Sequence, residues 1–575
     1  MKATRRRTAV TASIAATAMV LAACGGSDSD GGGATDEGGE EVERAGTLIY
    51  GEGTAFPENL NPLIAAGNSV ATAFLLIRVF PAPFRTLPDY TIGFDDDLMA
   101  SEPTIEETDT GQVITYEISP DAVWSDGTPI TADDFEFSWR LQRSSDPDDG
   151  GCESLLSTTG YDQIESVEGA DEGKTVTVTY SSPFPDWKSL FGLFPAHVLD
   201  EGDDAANCEA TTAGWPTAEG IPDDISGGPW QITAANIDSG AQVIALSPNP
   251  EWYGEGPFLE RLVHQTIGDE SGTVVSALQS GEVGLVNPQP QLDLVTQIQD
   301  LAPNVESEIT FGLSFEHFDM NTGNPHLAKQ EVRQAFALAL DRPAIVEATV
   351  GQFDDRAQVL NNRFYVNNQP EYEDTAPEQY NEQDTAGAIA LLEQAGYTIG
   401  ADGIATHPQD GRLELTMSTT QNNPLREQTI DLAAAQLAAG GFAIEKFLDP
   451  DIFAGADKPT SLEARGFDVA LFAWVSSPYV SGNVSLYETG GGQNYAGVSN
   501  EEVDDLLGQL STELDADTAA QLANEADTIL WEEAATIPLY QKPAYTAWSS
   551  QFEGIQPNAT NAGPLWNSEE IKLAA

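Results

Sequence analysis

Residues 124–135 read Trp124-Ser-Asp-Gly-Thr-Pro-Ile-Thr-Ala-Asp-Asp-Phe135. This chemistry predicts a strand end, a tight turn and a helix start. Val123 and Trp124 close an extended run. Asp126-Gly127 is a turn dipeptide, because Gly takes φ > 0 at no steric cost. Pro129 stiffens the exit. Thr131 and Asp134 have the spacing of a helix N-terminus: the Thr131 hydroxyl can accept from the first free N–H groups, and Asp133 and Asp134 suit the positive end of the helix dipole. Phe135, Ser138 and Trp139 then fall on one helix face. Nothing in the stretch is chemically reactive, so it reads as a structural corner.

Outward from this corner the pattern is β-rich. Residues 113–118 and 175–180 alternate like half-buried strands. Before them, 47–50 reads as a strand and 70–79 as a helix that runs into Phe80-Pro-Ala-Pro-Phe84. Pro81 and Pro83 forbid helix there. After Gly227 a second β region holds a strand at 243–246, a short helix at Val274, Ala277 and Leu278 ended by Gly281, and a strand at 283–286. From about Leu313 the texture becomes α/β. Helices are expected around Val332–Ala339 (stopped at Asp341-Arg342-Pro343), Ile389–Ala395, Leu432–Ala439, Val503–Leu510 and Ala523–Ile529, with strands at 467–475 and 537–540.

The chain has 575 residues, with 92 Asp+Glu against 24 Lys+Arg and a net charge of −68. Two or three domains are expected at this length. The acidic field repels nucleic acid and anionic headgroups, and its even spread reads as a solvated surface. Lys2, Arg5, Arg6 and Arg7 precede an uncharged, Ala/Val-rich run from Thr8 to Ala23. That run suits a signal peptide and is too short to span a bilayer. Its end, Leu21-Ala22-Ala23-Cys24-Gly25, resembles a bacterial lipobox, which implies a lipidated Cys24. An ordinary secretory signal with an incidental Cys is the alternative. Residues 25–45 hold seven Gly and seven Asp/Glu. They read as a flexible tether with a reach of about 25 Å. Cys152 and Cys208 remain. In an exported chain this pair reads as a disulfide, with two separate buried thiols as the alternative.

Catalytic chemistry is not indicated. No His-Glu-x-x-His or Gly-x-Ser-x-Gly occurs, and His197, His264, His317, His326 and His407 stand alone. Asp146-Pro-Asp-Asp-Gly-Gly151 resembles part of a calcium loop, but the later ligand positions do not follow. No metal or cofactor is expected.

The corner at 124–135 belongs to an ordered set of motifs: Gly228-Pro-Trp230, Asn249-Pro-x-Trp-Tyr253, Leu278-x-Ser-Gly-Glu282, Val332-Arg-Gln-Ala335, Ala339-Leu-Asp-Arg342, Leu392-x-x-Ala-Gly396, Asn494-Tyr-Ala-Gly497 and Ile537-Pro-Leu-Tyr540. With them the chain after residue 46 resembles the extracytoplasmic solute-binding proteins of peptide-type ABC importers, the oligopeptide- and dipeptide-binding lipoprotein family (family 5). The resemblance implies an α/β, two-lobed periplasmic-binding-protein-like fold of the large type II, cluster C class, with an extra small domain. The expected parts are a signal peptide (1–23), a tether (24–45), a discontinuous first lobe (46–85, 200–312 and 546–575), a small domain (86–199) and a second lobe (313–545). It also implies a lipid-anchored monomer outside the cytoplasm that captures a peptide or peptide-like solute by hinge closure and delivers it to a permease with its ATPase. A secreted hydrolase and a sensing lipoprotein are the competing readings of function. A non-peptide solute, such as an oligosaccharide or an opine-like compound, is the competing ligand.

By motif position the resemblance implies ligand contacts at Phe80, Pro81, Ala82 and Phe84 in the first lobe. In the second it implies Phe472, Trp474, Ser476, Ser477, Asn494 and Tyr495. Phe80, Phe84 and Trp474 also suit a core role, and Asn494 and Tyr495 an ordinary loop. Peptide binders of the family follow this Trp with an Asp that pairs with the peptide's α-ammonium. Here the run is Trp474-Val-Ser-Ser-Pro478, and Ser477 takes the acid's place. A hydroxyl is a much weaker partner for a cation. A peptide whose amine is read elsewhere, a blocked peptide or a non-peptide solute is therefore expected.

Overall fold

The computed structural model describes residues 43–222 and 225–575. The expected signal peptide, Cys24 and most of the tether lie outside the described residues. Among the described residues no helix is long and apolar enough to cross a membrane.

One eleven-stranded mixed sheet carries most of the chain. Across it run Ala443–Leu448, Glu414–Thr419, Val469–Val475, Val305–Met320, Thr536–Ser549, Leu285–Val286, Thr47–Glu52, Arg261–Thr266, Val243–Pro248 and Trp230–Gln231, and the eleventh strand, Ile237–Asp238, also pairs with Val243–Pro248. Its two central members, Val305–Met320 and Thr536–Ser549, pair antiparallel from Val305/Ser549 to Asp319/Thr536, with two register shifts between. At 16 residues the longer spans about 50 Å. That length lets these strands serve two different cores. Val305, Ile309, Tyr545 and Ala547 pack with Val274, Leu294 and Ile298. Phe318, Met320, Ile537 and Leu539 pack with Val332, Phe336 and Leu437. The boundaries expected at 312/313 and 545/546 therefore fall inside two strands that run through from one core to the other.

A third core gathers Leu48, Leu75, Trp230, Leu262, Leu285 and Trp548. A fourth lies under a separate four-stranded sheet of Thr104–Glu107, Gln112–Glu117, Thr175–Tyr180 and Ile164–Ala170. The corner at 124–135 closes that fourth core. Trp124 is fully buried, and Gly127 takes φ 84 in the turn. Thr131 caps the Ala132–Gln142 helix in a capping box with Asp134. Asp134 also accepts from the Trp124 indole (3.2 Å) and from Ala196 N–H (2.9 Å). Lys174 donates to the carbonyls of Ser119, Ala122 and Ile130, which pins both sides of the turn. The carboxylate that the corner buries is thus fully engaged, as burial demands, whereas the buried Ser125 hydroxyl has no partner among the described residues.

Helix positions follow the apolar spacing, with shifted ends. The Val70–Leu76 helix stops before Val79. Asn423 caps a helix at Pro424–Ala439, a turn and more earlier than its apolar face suggested. Asp341 does more than stop a helix. It caps the next one, Arg342–Ala348, where Pro343 fits the first turn because its missing N–H needs no partner there. Asp146–Gly151 forms a short 3-10 turn capped by Asp146. Cys152 and Cys208 are bonded to each other.

Candidate functional site

The Val469–Val475 strand is apolar throughout, but its environment changes along its length. Val469 to Phe472 are buried, Ala473 and Trp474 are half-buried, and Val475 is 69% exposed. One edge pairs with Ser314–Met320. On the other edge Glu414–Thr419 reaches only Val469 and Ala470. From Phe472 to Val475 that edge has no strand beside it among the described residues. Unpaired strand edges present backbone donors and acceptors to whatever lies alongside.

Aromatic rings furnish this open end. Trp474 lies nearly parallel to Tyr495 (centroids 5.5 Å, 20°) and to His317 (5.8 Å, 10°). Phe472 meets Trp474 edge-on at 5.1 Å. Phe472 itself is 1% exposed, so it supports the platform from within the core. Ser476 and Ser477 follow the strand half-buried, and Ser477 Oγ accepts from Tyr479 N–H (3.3 Å). Asn494 gives its amide to the carbonyls of Glu488 and Val498, and its oxygen accepts from Gly497 and Val498. That uses the full hydrogen-bonding capacity of an Asn side chain and leaves none for a solute.

The first-lobe loop is mostly internal. Phe84 packs edge-on against Trp187 (5.3 Å) in the small-sheet core, and Pro81 is buried with its carbonyl bound by Leu193 N–H (2.9 Å). Phe80 stacks on Trp215 (5.6 Å). Phe80, Ala82 and Phe84 still line a cavity of about 230 Å³ with Arg78, Arg85 and Trp566. Its charges are mutually satisfied: Arg78 grips Glu569 (2.9 and 2.6 Å), and Arg85 reaches Asp95 (2.8 Å). Burial and the neighbouring Asp95 push Asp97 up to about 6. No second-lobe candidate lines this cavity, so the two halves of the expected site do not meet in it.

Two contacts that the sequence did not signal join the small-sheet side to the second-lobe side. Tyr90, at the tip of the hairpin formed by Phe84–Thr86 and Ile92–Phe94, has φ 71. Its ring enters a cluster of Leu313, Phe315, Leu360 and Val366, with Trp474 against it. Its hydroxyl donates to Phe311 O and accepts from Asn368 Nδ2 (2.7 Å). Farther on, Ser481 Oγ donates to Asp186, and burial pushes the Asp186 carboxyl up despite the Ser481 and Gly482 donors. A non-Gly residue at positive φ is uncommon, and a chain at Asp89-Tyr90 gives no hint of a partner hundreds of residues away.

Among the described residues no histidine touches a Ser, Thr or Cys nucleophile. His197 faces Asp126, His264 faces Glu52, His326 faces Tyr397, and His407 faces Asp410. The acidic group Asp95–Asp97 is close enough to hold a cation, but Asp95 is already held by Arg78 and Arg85.

Comparison with known proteins places this geometry. The family of bacterial extracellular solute-binding proteins, family 5 Middle, matches residues 96–497. The oligopeptide-binding protein OppA of Mycobacterium tuberculosis is 28% identical over 509 residues, which covers 86% of this chain and 80% of that protein. Among solved structures, the periplasmic EDTA-binding protein EppA superposes with a TM-score of 0.84 at 26% identity, covering 93% of this chain and 97% of that one. The oligopeptide-binding protein AppA of Bacillus subtilis, solved with a nonapeptide, has a TM-score of 0.72 at 20% identity and shares the fold over 93% of this chain and 100% of that one. The chain belongs to family 5 of the bacterial extracellular solute-binding proteins, a family of binding proteins and not of enzymes.

Proposed function

We propose that the chain is the solute-capture component of an ABC importer, held outside the cytoplasm by a lipid on Cys24. It takes peptides or peptide-like solutes between two lobes that close by hinge motion and presents them, as a monomer, to a membrane permease. The observation that carries this reading is the free strand edge from Phe472 to Val475 beside the Trp474–Tyr495 stack. An extended peptide can add there as a further strand, its backbone matched by hydrogen bonds and its side chains left to flanking pockets. The similarity to OppA, named for oligopeptide binding, supports the same ligand class.

Ser477 shapes the selectivity of that edge. With no carboxylate at this position, a free α-ammonium gains little, so acetylating a bound peptide changes affinity by less than about threefold. Calorimetry with a peptide and its N-acetyl form tests this. A penalty of tenfold or more refutes the role given to Ser477, and failure to bind any peptide refutes the peptide reading. For the anchor, Cys24→Ala releases the protein into the medium; retention on the membrane contradicts the lipid.

A further inference from the structure

The pairing between Val305–Met320 and Thr536–Ser549 shifts register twice, and the wider break lies in its middle. Phe311 pairs with Pro543 and Phe315 with Gln541, so Gly312, Leu313 and Ser314 lie opposite Lys542 alone. Bulges of this kind interrupt a ladder and re-aim the side chain opposite. The gap forms a cavity of about 180 Å³ lined by Lys542, Gly312 and Ser314 of the two strands, with Asn287, Gln289 and Ala559. Ser314 is also the ladder partner of Val475. The cavity therefore adjoins the open end of the Trp474 strand.

Lys542 is half-buried, and among the described residues its Nζ has neither a hydrogen bond nor an ion pair. The other described cations without a partner, Arg261 and Lys458, are exposed to solvent. In a chain with 92 acidic and 24 basic residues, partners are abundant. An ammonium left without one inside the protein is costly unless something supplies the missing charge. The nearby Glu316 makes no hydrogen bond or ion pair with Lys542, and Arg426 holds both of its oxygens at 3.0 Å. Burial holds the Lys542 ammonium below the ordinary lysine value; Glu316 raises it in part, and Arg426 lowers it again. Lys542 is moreover the sole charged residue between Thr536 and Ser549.

We propose that Lys542 binds a carboxylate of the captured solute at the bulge between the two long strands. The proposal rests on the solute-binding reading above and extends it: backbone groups at Phe472–Val475 hold an extended ligand, and Lys542 fixes its anionic end. An ammonium–carboxylate hydrogen bond is among the stronger polar contacts available, and the cavity shields it from water. The acidic surface disfavours anions in general, so one half-buried cation gives the cleft its preference.

Three probes separate the sources of that carboxylate. They are a pool of tri- to pentapeptides lacking Asp and Glu with free C-termini, the same pool as C-terminal amides, and citrate. Binding is read by calorimetry for the wild type, Lys542→Met and Lys542→Arg. The wild type prefers acids to amides by about tenfold, Lys542→Met loses that preference while binding amides unchanged, and Lys542→Arg keeps it. Wild-type binding of citrate alone, lost in Lys542→Met, upholds the carboxylate role and refutes the peptide reading. Equal binding of acids and amides, or a Lys542→Met preference like the wild type's, overturns the role of Lys542 and leaves the peptide reading standing. Failure of all three probes overturns both. Thermal unfolding of Lys542→Met is unimpaired, because the substitution removes an unpaired cation; a folding defect with proportional loss of amide binding also overturns the proposal.

Discussion

Replacing Tyr90 with Ala removes the one aromatic ring that reaches from the 84–94 hairpin into the second-lobe cluster. The ring is 9% exposed and packs on Leu313, Phe315, Leu360 and Val366. Truncating an enclosed aromatic costs about 3–5 kcal/mol. The backbone at φ 71 is strained for Tyr and Ala alike, so that cost does not change. If Tyr90 is enclosed only when the lobes are together, the loss falls on the closed state. A shift of about 3 kcal/mol moves the open–closed equilibrium by roughly a hundredfold toward open. Solute affinity falls by up to the same factor, because binding must then restore closure. Tyr90→Phe keeps the ring and loses the contacts to Phe311 O and Asn368, worth about 1 kcal/mol. Small-angle scattering of the ligand-free protein, with a dye pair across the lobes, measures the effect. A larger radius and lower transfer efficiency in Tyr90→Ala, with Tyr90→Phe between, is the expected result. A lower melting temperature with unchanged radius and unchanged affinity refutes the reasoning and makes Tyr90 an ordinary core residue.

Three further expectations concern stability and pH. Asp134→Ala strands the donors of Trp124, Thr131 and Ala196, so thermal unfolding shows a loss of about 2–3 kcal/mol while solute affinity holds. Cys152→Ala removes a bridge spanning 56 residues, and the chain-entropy relation gives about 4 kcal/mol in denaturant unfolding. Two reactive thiols at positions 152 and 208 in the unreduced wild type contradict that bridge. Asp186 has its carboxyl pushed up by burial against Ser481 and Gly482. An acid with a higher pKa closed than open binds more protons closed. Closure is then strongest at low pH and weakens as pH rises from the ordinary Asp value of about 3.9 through the raised one. Asp186→Asn flattens this profile; a slope that survives in the Asn variant assigns the pH dependence elsewhere.

Local chemistry was legible wherever partners lie close in sequence. The Thr131 cap, the Gly127 turn and the positive-φ glycine at 281 follow from short-range rules and stand where the sequence puts them. The long central strands were not legible. Their alternation serves one core up to Phe311 and another after Phe315, so no single phase runs through. Pro538 and Pro543 argue against a continuous strand, yet the second sits beside the bulge, where a missing N–H is tolerated. Among the site residues, Trp474 and Tyr495 stack beside the open edge of the Val469–Val475 strand. Phe84 packs into the small-sheet core and Phe472 into a cluster with Ile452, Leu462 and Phe467, placements that composition alone cannot tell from a cleft wall. Tyr90, Asp186 and Lys542 escaped notice for one reason. What makes each unusual is a partner, or the lack of one, set by contacts across hundreds of residues.

The central claim is that this protein holds a peptide-like solute in a closed cleft without chemistry. Native mass spectrometry of protein purified under non-denaturing conditions tests it most directly. The account predicts a mass excess consistent with one bound solute per chain. That excess is released intact on denaturation, fragments as a peptide or amide compound, and is replaced one for one from an added peptide pool. A protein that emerges empty and takes up nothing from the pool, or that returns cleaved products, contradicts the account.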